Sequence, residues 1–368
     1  MTSTVDINIP NIEQELNRLW KGLKEKKLSK ASLFTLIIYA HEPRRAQYLQ
    51  DLVHTILEKF PCRIIFIEGE DTDRQYFHVS VSTVVSGANS DPQNAKVACD
   101  QITIAASKNQ LFRVPFLITP NLVPDLPVYL LWGQNPFEEN VIFPHLQPIA
   151  DRVIFDSECS DNLSLFCQEM KDNLGVLSID VMDINWAIVS NWRDMLFQLF
   201  DTKEKIEELK EIKSIVINYH HNATETVQHP EIRAIYLQGW LAASLGWRYR
   251  ATEVFENNII ISYFGPNTPV VIALAPQKCD NLPPGGIASL EITLTNGHSY
   301  SIARKPNISQ VIVHASTKDE CKLPYTIPLP NVHRGLNFIK EIFFSKLGTH
   351  YRQMLDIISL IDYKTLSK

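Results

Sequence analysis

Apolar residues recur along the first half of the chain in two different rhythms. Ile12, Leu16, Leu19, Trp20 and Leu23 fall at the three-and-four spacing of one helix face, which predicts an amphipathic helix over residues 11 to about 27 that ends in lysines. LFTLIIYA (33–40) then runs apolar without a break over the length of a strand. The turn HEPRR, a helical stretch over about 46–59 and a second apolar run, CRIIFIEG, complete a βαβ unit. Strands that are apolar on both faces belong to a parallel sheet covered on both sides. HVSVSTVVS and VACDQITIAAS, separated by a Ser/Asn/Asp/Pro loop near 86–93, alternate instead and predict an antiparallel extension. FRVPFLITP, LPVYLLWG and RVIFDS read as further strands, with Pro115, Pro120, Pro124 and Pro127 setting the bends. Ser160 or Asp161 is expected to cap a helix over about 161–174.

Residues 185–200 carry two apolar stripes, one through Ile188, Trp192, Met195, Leu196 and Leu199 and one through Trp186, Val189, Phe197 and Phe200. A helix apolar on two faces is buried between layers or sits at an interface. KEKIEELKEIK (203–213) reads as a charged helical connector. After it come a strand, SIVINYH, a helix over about 230–245 stopped by Gly246, and the alternating segments IIISYF, PVVIALAP, ASLEITLT, SYSIARK and SQVIVHAS. Asn296-Gly297 predicts a tight hairpin between ASLEITLT and SYSIARK. Two helices close the chain, over about 334–347 with Gly348 as the stop and over 350–361. The expected fold class is α/β: a mostly parallel N-terminal sheet with helices on both faces, then a C-terminal α+β domain with an antiparallel sheet. The expected organisation is a helical arm (1–32), an N-terminal domain (33–202) and a C-terminal domain (203–368).

A length of 368 residues exceeds what one core usually supports, which agrees with two domains. Charged residues make up 21% and the net charge is −6, so no basic footprint for nucleic acid or an anionic membrane is present. No apolar run approaches the roughly 20 residues that span a bilayer. Met1–Pro10 is polar and lacks a cationic start, so a cytoplasmic protein is expected. The six cysteines form no CxxC and no close pair with histidine, which argues against zinc and against a thioredoxin-like motif. No GxGxxG, Walker A, GxSxG or HExxH sequence occurs, so neither a cofactor nor a metal is expected.

His41, Arg44 and Arg45 stand where a strand hands over to a helix, at the carboxyl edge of the predicted sheet. Guanidinium forks and helix N–H groups there suit a phosphate or carboxylate, although a proline-started helix with exposed arginines would read identically. His220 and His221 are adjacent on an extended segment and so point apart, which disfavours one shared metal. Asp151, Arg152 and Asp156 bracket a buried strand as an active-site edge or as a local cap and ion pair. The tryptophans read mainly as core, and any that reach the surface would be partner anchors.

Four blocks, PDLPVYLLWG (124–133), ADRVIFDS (150–157), NWAIVSNWRDMLFQLFD (185–201) and IYLQGWLAASLGW (235–247), occur in an order and with separations that resemble the glucose-6-phosphate dehydrogenase assembly protein (OpcA) family. The resemblance runs from about residue 7 to 250. It implies a non-catalytic partner that promotes assembly of glucose-6-phosphate dehydrogenase or activates it allosterically in the oxidative pentose phosphate pathway. It also implies redox control, for which the cysteine pattern offers no obvious pair. Trp186, Trp192 and Arg193 are then the first interface candidates, provided they reach the surface. The alternative is a sugar-phosphate sensor or enzyme that uses the His41, Arg44 and Arg45 crevice.

Overall fold

The all-apolar runs 35–40, 63–70 and 128–133 lie side by side as the middle of a parallel sheet in the computed structural model, which describes residues 5–7, 12–24, 28–41, 43–57, 59–72, 74–86, 97–173, 179–305, 308–318, 320–329, 336–346 and 348–361. The 86–93 loop beyond Ser86, Lys26, Lys27 and the start of the expected 334–347 helix fall outside these residues. By contacts, the chain divides into one unit of Met1–Cys159 with Ile179–Met182 and a second of Ser160–Ser178 with Asp183–Lys368; the charged stretch 203–213 lies inside the second. Among the described residues no helix is long and apolar enough to cross a membrane.

The first unit contains β1 (Val5–Ile7), α1 (Ile12–Lys24), β2 (Ser29–Lys30), β3 (Thr35–Ala40), α2 (Pro43–Leu57), β4 (Arg63–Glu70), β5 (Phe77–Ser86), β6 (Val97–Ser107), α3 (Val114–Ile118), β7 (Val128–Gly133), α4 (Phe143–Leu146) and β8 (Arg152–Phe155). β3, β4, β6, β7 and β8 are mutually parallel in the order β6-β4-β3-β7-β8. β5 pairs antiparallel with β6, as the alternation predicts, and β1 pairs antiparallel with β5. β9 (Asp180–Asp183) follows β8 in the strand order.

FRVPFLITP is not a strand. Residues 108–121 fold as consecutive helical turns around α3. Pro115 sits at the start of α3 and Pro120 at the start of the next turn, positions where the missing N–H costs no hydrogen bond.

The amphipathic arm is pinned through its tryptophan. Trp20 Nε1 donates to Asp100 Oδ1 at 2.5 Å. The same carboxylate takes Lys30 Nζ at 2.8 Å and Arg63 Nη2 at 2.6 Å. Arg63 also donates to the Asn121 carbonyl at 2.8 Å, so a buried acid and a buried base satisfy each other inside the unit.

The second unit contains α5 (Leu163–Asn173), α6 (Ile184–Ile188), α7 (Ser190–Leu199), α8 (Lys203–Glu208), β10 (Ile212–His220), α9 (Ile232–Ser244), β11 (Arg248–Phe255), β12 (Asn258–Phe264), β13 (Pro269–Gln277), β14 (Ile287–Leu294), β15 (Ser299–Arg304), β16 (Gln310–Ser316), β17 (Tyr325–Pro328), α10 (Leu336–Phe344) and α11 (Thr349–Ile358). Its eight strands run in the order β11-β12-β13-β10-β14-β15-β16-β17, and β10 with β13 is its parallel pair. β14 and β15 form the hairpin predicted at Asn296-Gly297.

The cap of α5 is Asn162, whose Oδ1 accepts from Leu165 N–H at 3.0 Å, rather than Ser160 or Asp161. The expected 185–200 helix is two, because Val189 leaves helical geometry with ψ near 0. Gly246 ends α9 at φ +67, where other residues are strained. Gly348, in contrast, has an extended backbone and precedes α11 instead of stopping α10.

Candidate functional site

The strand order reverses at β3: the chain builds outward through β4 and β6, then returns to place β7 on the other side. Open α/β sheets take their ligands at such a switch point, outside the carboxyl ends of the strands. The side chains there decide what can enter.

On one face the crevice is filled by aromatic rings. Tyr39 at the end of β3 and Trp132 at the end of β7 are register partners and stack with centroids 4.3 Å apart. Phe143 lies 4.6 Å from Trp132 and 6.3 Å from Phe155. Both Tyr39 and Trp132 are 0% exposed. Burial raises the Tyr39 phenol to about 12, which keeps it neutral and an effective donor or acceptor toward His41 Nδ1 at 3.2 Å.

On the other face α2 lies close over the sheet. A Cβ at Gly133 would stand 2.5 Å from Leu49 Cδ1 and 2.7 Å from the Tyr39 carbonyl, so only glycine permits this approach. A cleft of about 120 Å³ remains between the first turns of α2 and the end of β4, lined by Pro43, Gln47, Gln50, Glu68 and Glu70 among others. Gln50 Nε2 donates to Glu68 Oε1 at 2.9 Å, and burial raises the Glu68 carboxyl above its usual range. Two carboxylates and no basic side chain line this cleft, which disfavours an anion.

The structure does not gather the predicted anion-binding trio. Arg45 is buried and turned inward: its Nε donates to Asp156 Oδ2 at 2.5 Å, and its Nη2 closes a second contact to the same oxygen. Burial opposes the charge most, but Asp156 together with Cys159, Tyr48 and Glu158 outweighs it and holds the guanidinium above its ordinary value. Arg45 also lies 3.9 Å over the Tyr48 ring. Arg44 is exposed and His41 half-buried against Tyr39. Sequence reading marked Asp156 as a titratable group beside a strand; its partner 111 residues earlier carried no local signal.

The other candidates resolve into structural roles. Asp151 Oδ2 accepts from Val128 N–H at 2.8 Å, and Arg152 pairs with Asp180 at 3.5 Å rather than with Asp151. His220 is buried and its Nδ1 accepts from Cys279 N–H at 2.9 Å. Among the described residues no three His, Cys, Asp or Glu side chains are grouped to hold a metal.

Trp186, Trp192 and Arg193, the interface candidates, are 5%, 1% and 7% exposed and do not meet the surface condition placed on them. Arg193 lies 3.4 Å over the Trp186 ring and donates to Glu341 Oε1 at 2.9 Å. Burial draws this guanidinium down to about 10 although Glu341 pulls the other way. The signal missed in the sequence was Glu341, which turns an arginine inward from 148 residues away.

In architecture the chain resembles the solved structures of a dehydrogenase and a ketoreductase. It is similar to glucose-6-phosphate 1-dehydrogenase from Mycobacterium avium with a TM-score of 0.55 and 8% identity, over 92% of each chain. It is also similar to the 3-ketoreductase KijD10 from Actinomadura kijaniata, with a TM-score of 0.52 and 10% identity, over 89% of this chain and 96% of that one. At such identities the likeness concerns the fold alone, and it defines a two-unit α/β architecture.

The chain belongs to the OpcA family of glucose-6-phosphate dehydrogenase subunits: residues 53–171 match the N-terminal domain of that subunit and residues 179–330 its C-terminal domain. Relatives named as OxPP cycle protein OpcA share 28% identity in Synechocystis sp. over 53% of this chain and 39% of theirs, and 25% in Synechococcus elongatus over 54% and 42%. The matched stretch thus spans less than half the length of these relatives. The family is tied to the oxidative pentose phosphate cycle and to glucose-6-phosphate dehydrogenase.

Proposed function

We propose that this chain is a non-catalytic partner of glucose-6-phosphate dehydrogenase that binds the enzyme and favours its active state. The observation that carries the reading is the Tyr39–Trp132 stack in the switch-point crevice. Where a dehydrogenase of this architecture needs room for a dinucleotide, these rings leave none on their face. The turn after β3 offers His41-Glu42-Pro43-Arg44-Arg45 in place of the glycines that let a backbone approach a pyrophosphate. Family membership supports the choice of partner, and the filled crevice supports a role without turnover. The reading places the chain in the cytoplasm together with the enzyme it serves.

An activator acts only through its differential affinity for two states of the enzyme, and five- to about 150-fold activation corresponds to roughly 1–3 kcal/mol of coupling. The test is a titration of the cognate dehydrogenase with this protein at subsaturating glucose 6-phosphate. A rise in rate is expected, with no oxidation of glucose 6-phosphate by the chain alone. Absence of both a rate change and a shared elution peak, with both proteins folded, would overturn the reading.

A further inference from the structure

The register of the second sheet separates a sealed face from an open one. Ile259, Leu274, Ile217, Leu290, Ile302 and Val313 stand in one row across β12 to β16, and each is at most 8% exposed. The neighbouring row of opposite parity runs Ile260, Ala273, Val216, Glu291, Ser301 and His314. All six members are half-buried or exposed. Val271, in the next row, is 39% exposed, so in the described chain this face looks outward.

Its composition is unlike that of a solvated sheet. In the three central rows across β12, β13, β10, β14, β15 and β16, no lysine or arginine occurs, and Glu291 is the one carboxylate. The remaining positions are Ser, Thr, Asn and Ala, with Val216, Ile260, Val271, Ile312 and His314. A solvent face normally carries long charged side chains, and their depletion marks the core of an interface. Short side chains also let two backbones come near the roughly 10 Å separation of stacked sheets.

We propose that this face is a self-association surface through which two copies of the chain join sheet to sheet. Size agrees with that occupant. The six strands of this face at about 4.8 Å spacing span roughly 24 Å, and their six to nine residues extend for roughly 25 Å. The product, on the order of 600 Å², reaches the lower end of what each partner contributes to a stable interface, about 1,200 Å² in total. Shape agrees as well: sheets that pack face to face align within about 30° because both carry the same twist, and a second copy supplies that twist by construction. The proposal stands apart from the functional reading, since a dimer forms with or without the dehydrogenase present.

Sedimentation equilibrium of the full chain between about 1 and 50 µM is expected to give about twice the 42.1 kDa of one copy. Val271→Lys on β13 and Thr293→Lys on β14, made separately, are each expected to weaken the dimer at least ten-fold. Both positions are exposed in the single copy, so thermal melting of the monomeric form should be nearly unchanged. Phe116→Lys, at a residue of α3 in the first unit that is 78% exposed, should leave the dimer intact. A monomeric wild type across the whole range overturns the proposal, as does a dimer that neither face variant weakens. A monomeric wild type whose face variants lose binding to the dehydrogenase also overturns it and assigns the face to the enzyme instead.

Discussion

Asp100 shows how much of the first unit rests on one carboxylate. It is 3% exposed, and it holds Trp20 of the arm, Lys30 and Arg63 at once. Burial alone would raise its pKa, but Lys30 and Arg63 bring it below the ordinary carboxylate value. A lowered folded-state pKa contributes stability that is present above the unfolded value of about 3.9 and lost as pH falls through the folded one. Asp100→Ala takes its nearest carboxylate from the buried Arg63 and leaves it only Glu13 at 3.5 Å and the Asn121 carbonyl, which should cost about 3 kcal/mol and remove this acid-side dependence. Urea melts of both proteins at neutral pH and below pH 4 check both parts. The Arg45–Asp156 pair has a different expected outcome: Asp156→Ala should cost a similar amount, whereas Arg45→Met with Asp156→Leu should be close to neutral, because the paired replacement strands no charge. A double-mutant cycle by chemical denaturation measures the difference. The sequence marks Arg45 and Asp156 as candidate groups and passes over Arg63 and Asp100, and neither pairing shows in it, since 37 residues separate Arg63 from Asp100 and 111 separate Arg45 from Asp156.

Among the elements, periodicity read well wherever one rhythm held. The apolar runs of β3, β4, β7 and β8 became parallel strands, and the alternating segments pair antiparallel with one another, although β6 and β13 each also take a parallel neighbour. Misreadings cluster where chemistry competed with the pattern. FRVPFLITP is as apolar as a strand, yet its prolines suit helix starts. β11, RYRATEVF, was passed over because an edge strand with mostly exposed residues has no apolar face to betray it. Gly246 was read correctly because a left-handed helix end leaves a residue-specific mark. Since nothing lies within 4 Å of a Cβ built there, Gly246→Ala should cost only the backbone strain, about 1–2 kcal/mol. Thermal melts should show that loss without a change in the near-ultraviolet signature of the core.

At the scale of the whole molecule, strand order and crevice content have to be read together. The order β6-β4-β3-β7-β8 places a binding site by topology, and Tyr39, Trp132 and Phe143 occupy it. Neither fact is visible in the sequence alone, because Tyr39 and Trp132 are 93 positions apart and meet only through β-register. Trp132→Ala should cost about 3–5 kcal/mol through the cavity it leaves. It should still bind no nicotinamide dinucleotide by calorimetry, because the turn after β3 keeps Pro43 and gains no glycine. Dinucleotide binding by the wild-type chain would contradict the assignment of the crevice as filled.

The burial of the indoles has an optical consequence. All six tryptophans of the chain, Trp20, Trp132, Trp186, Trp192, Trp240 and Trp247, are at most 7% exposed. Indole emission follows the polarity around the ring, so the native protein should fluoresce at short wavelength. A partner that lands on the outer surface should leave that colour unchanged, and a red shift in any mixture would report a core coming apart rather than a complex forming.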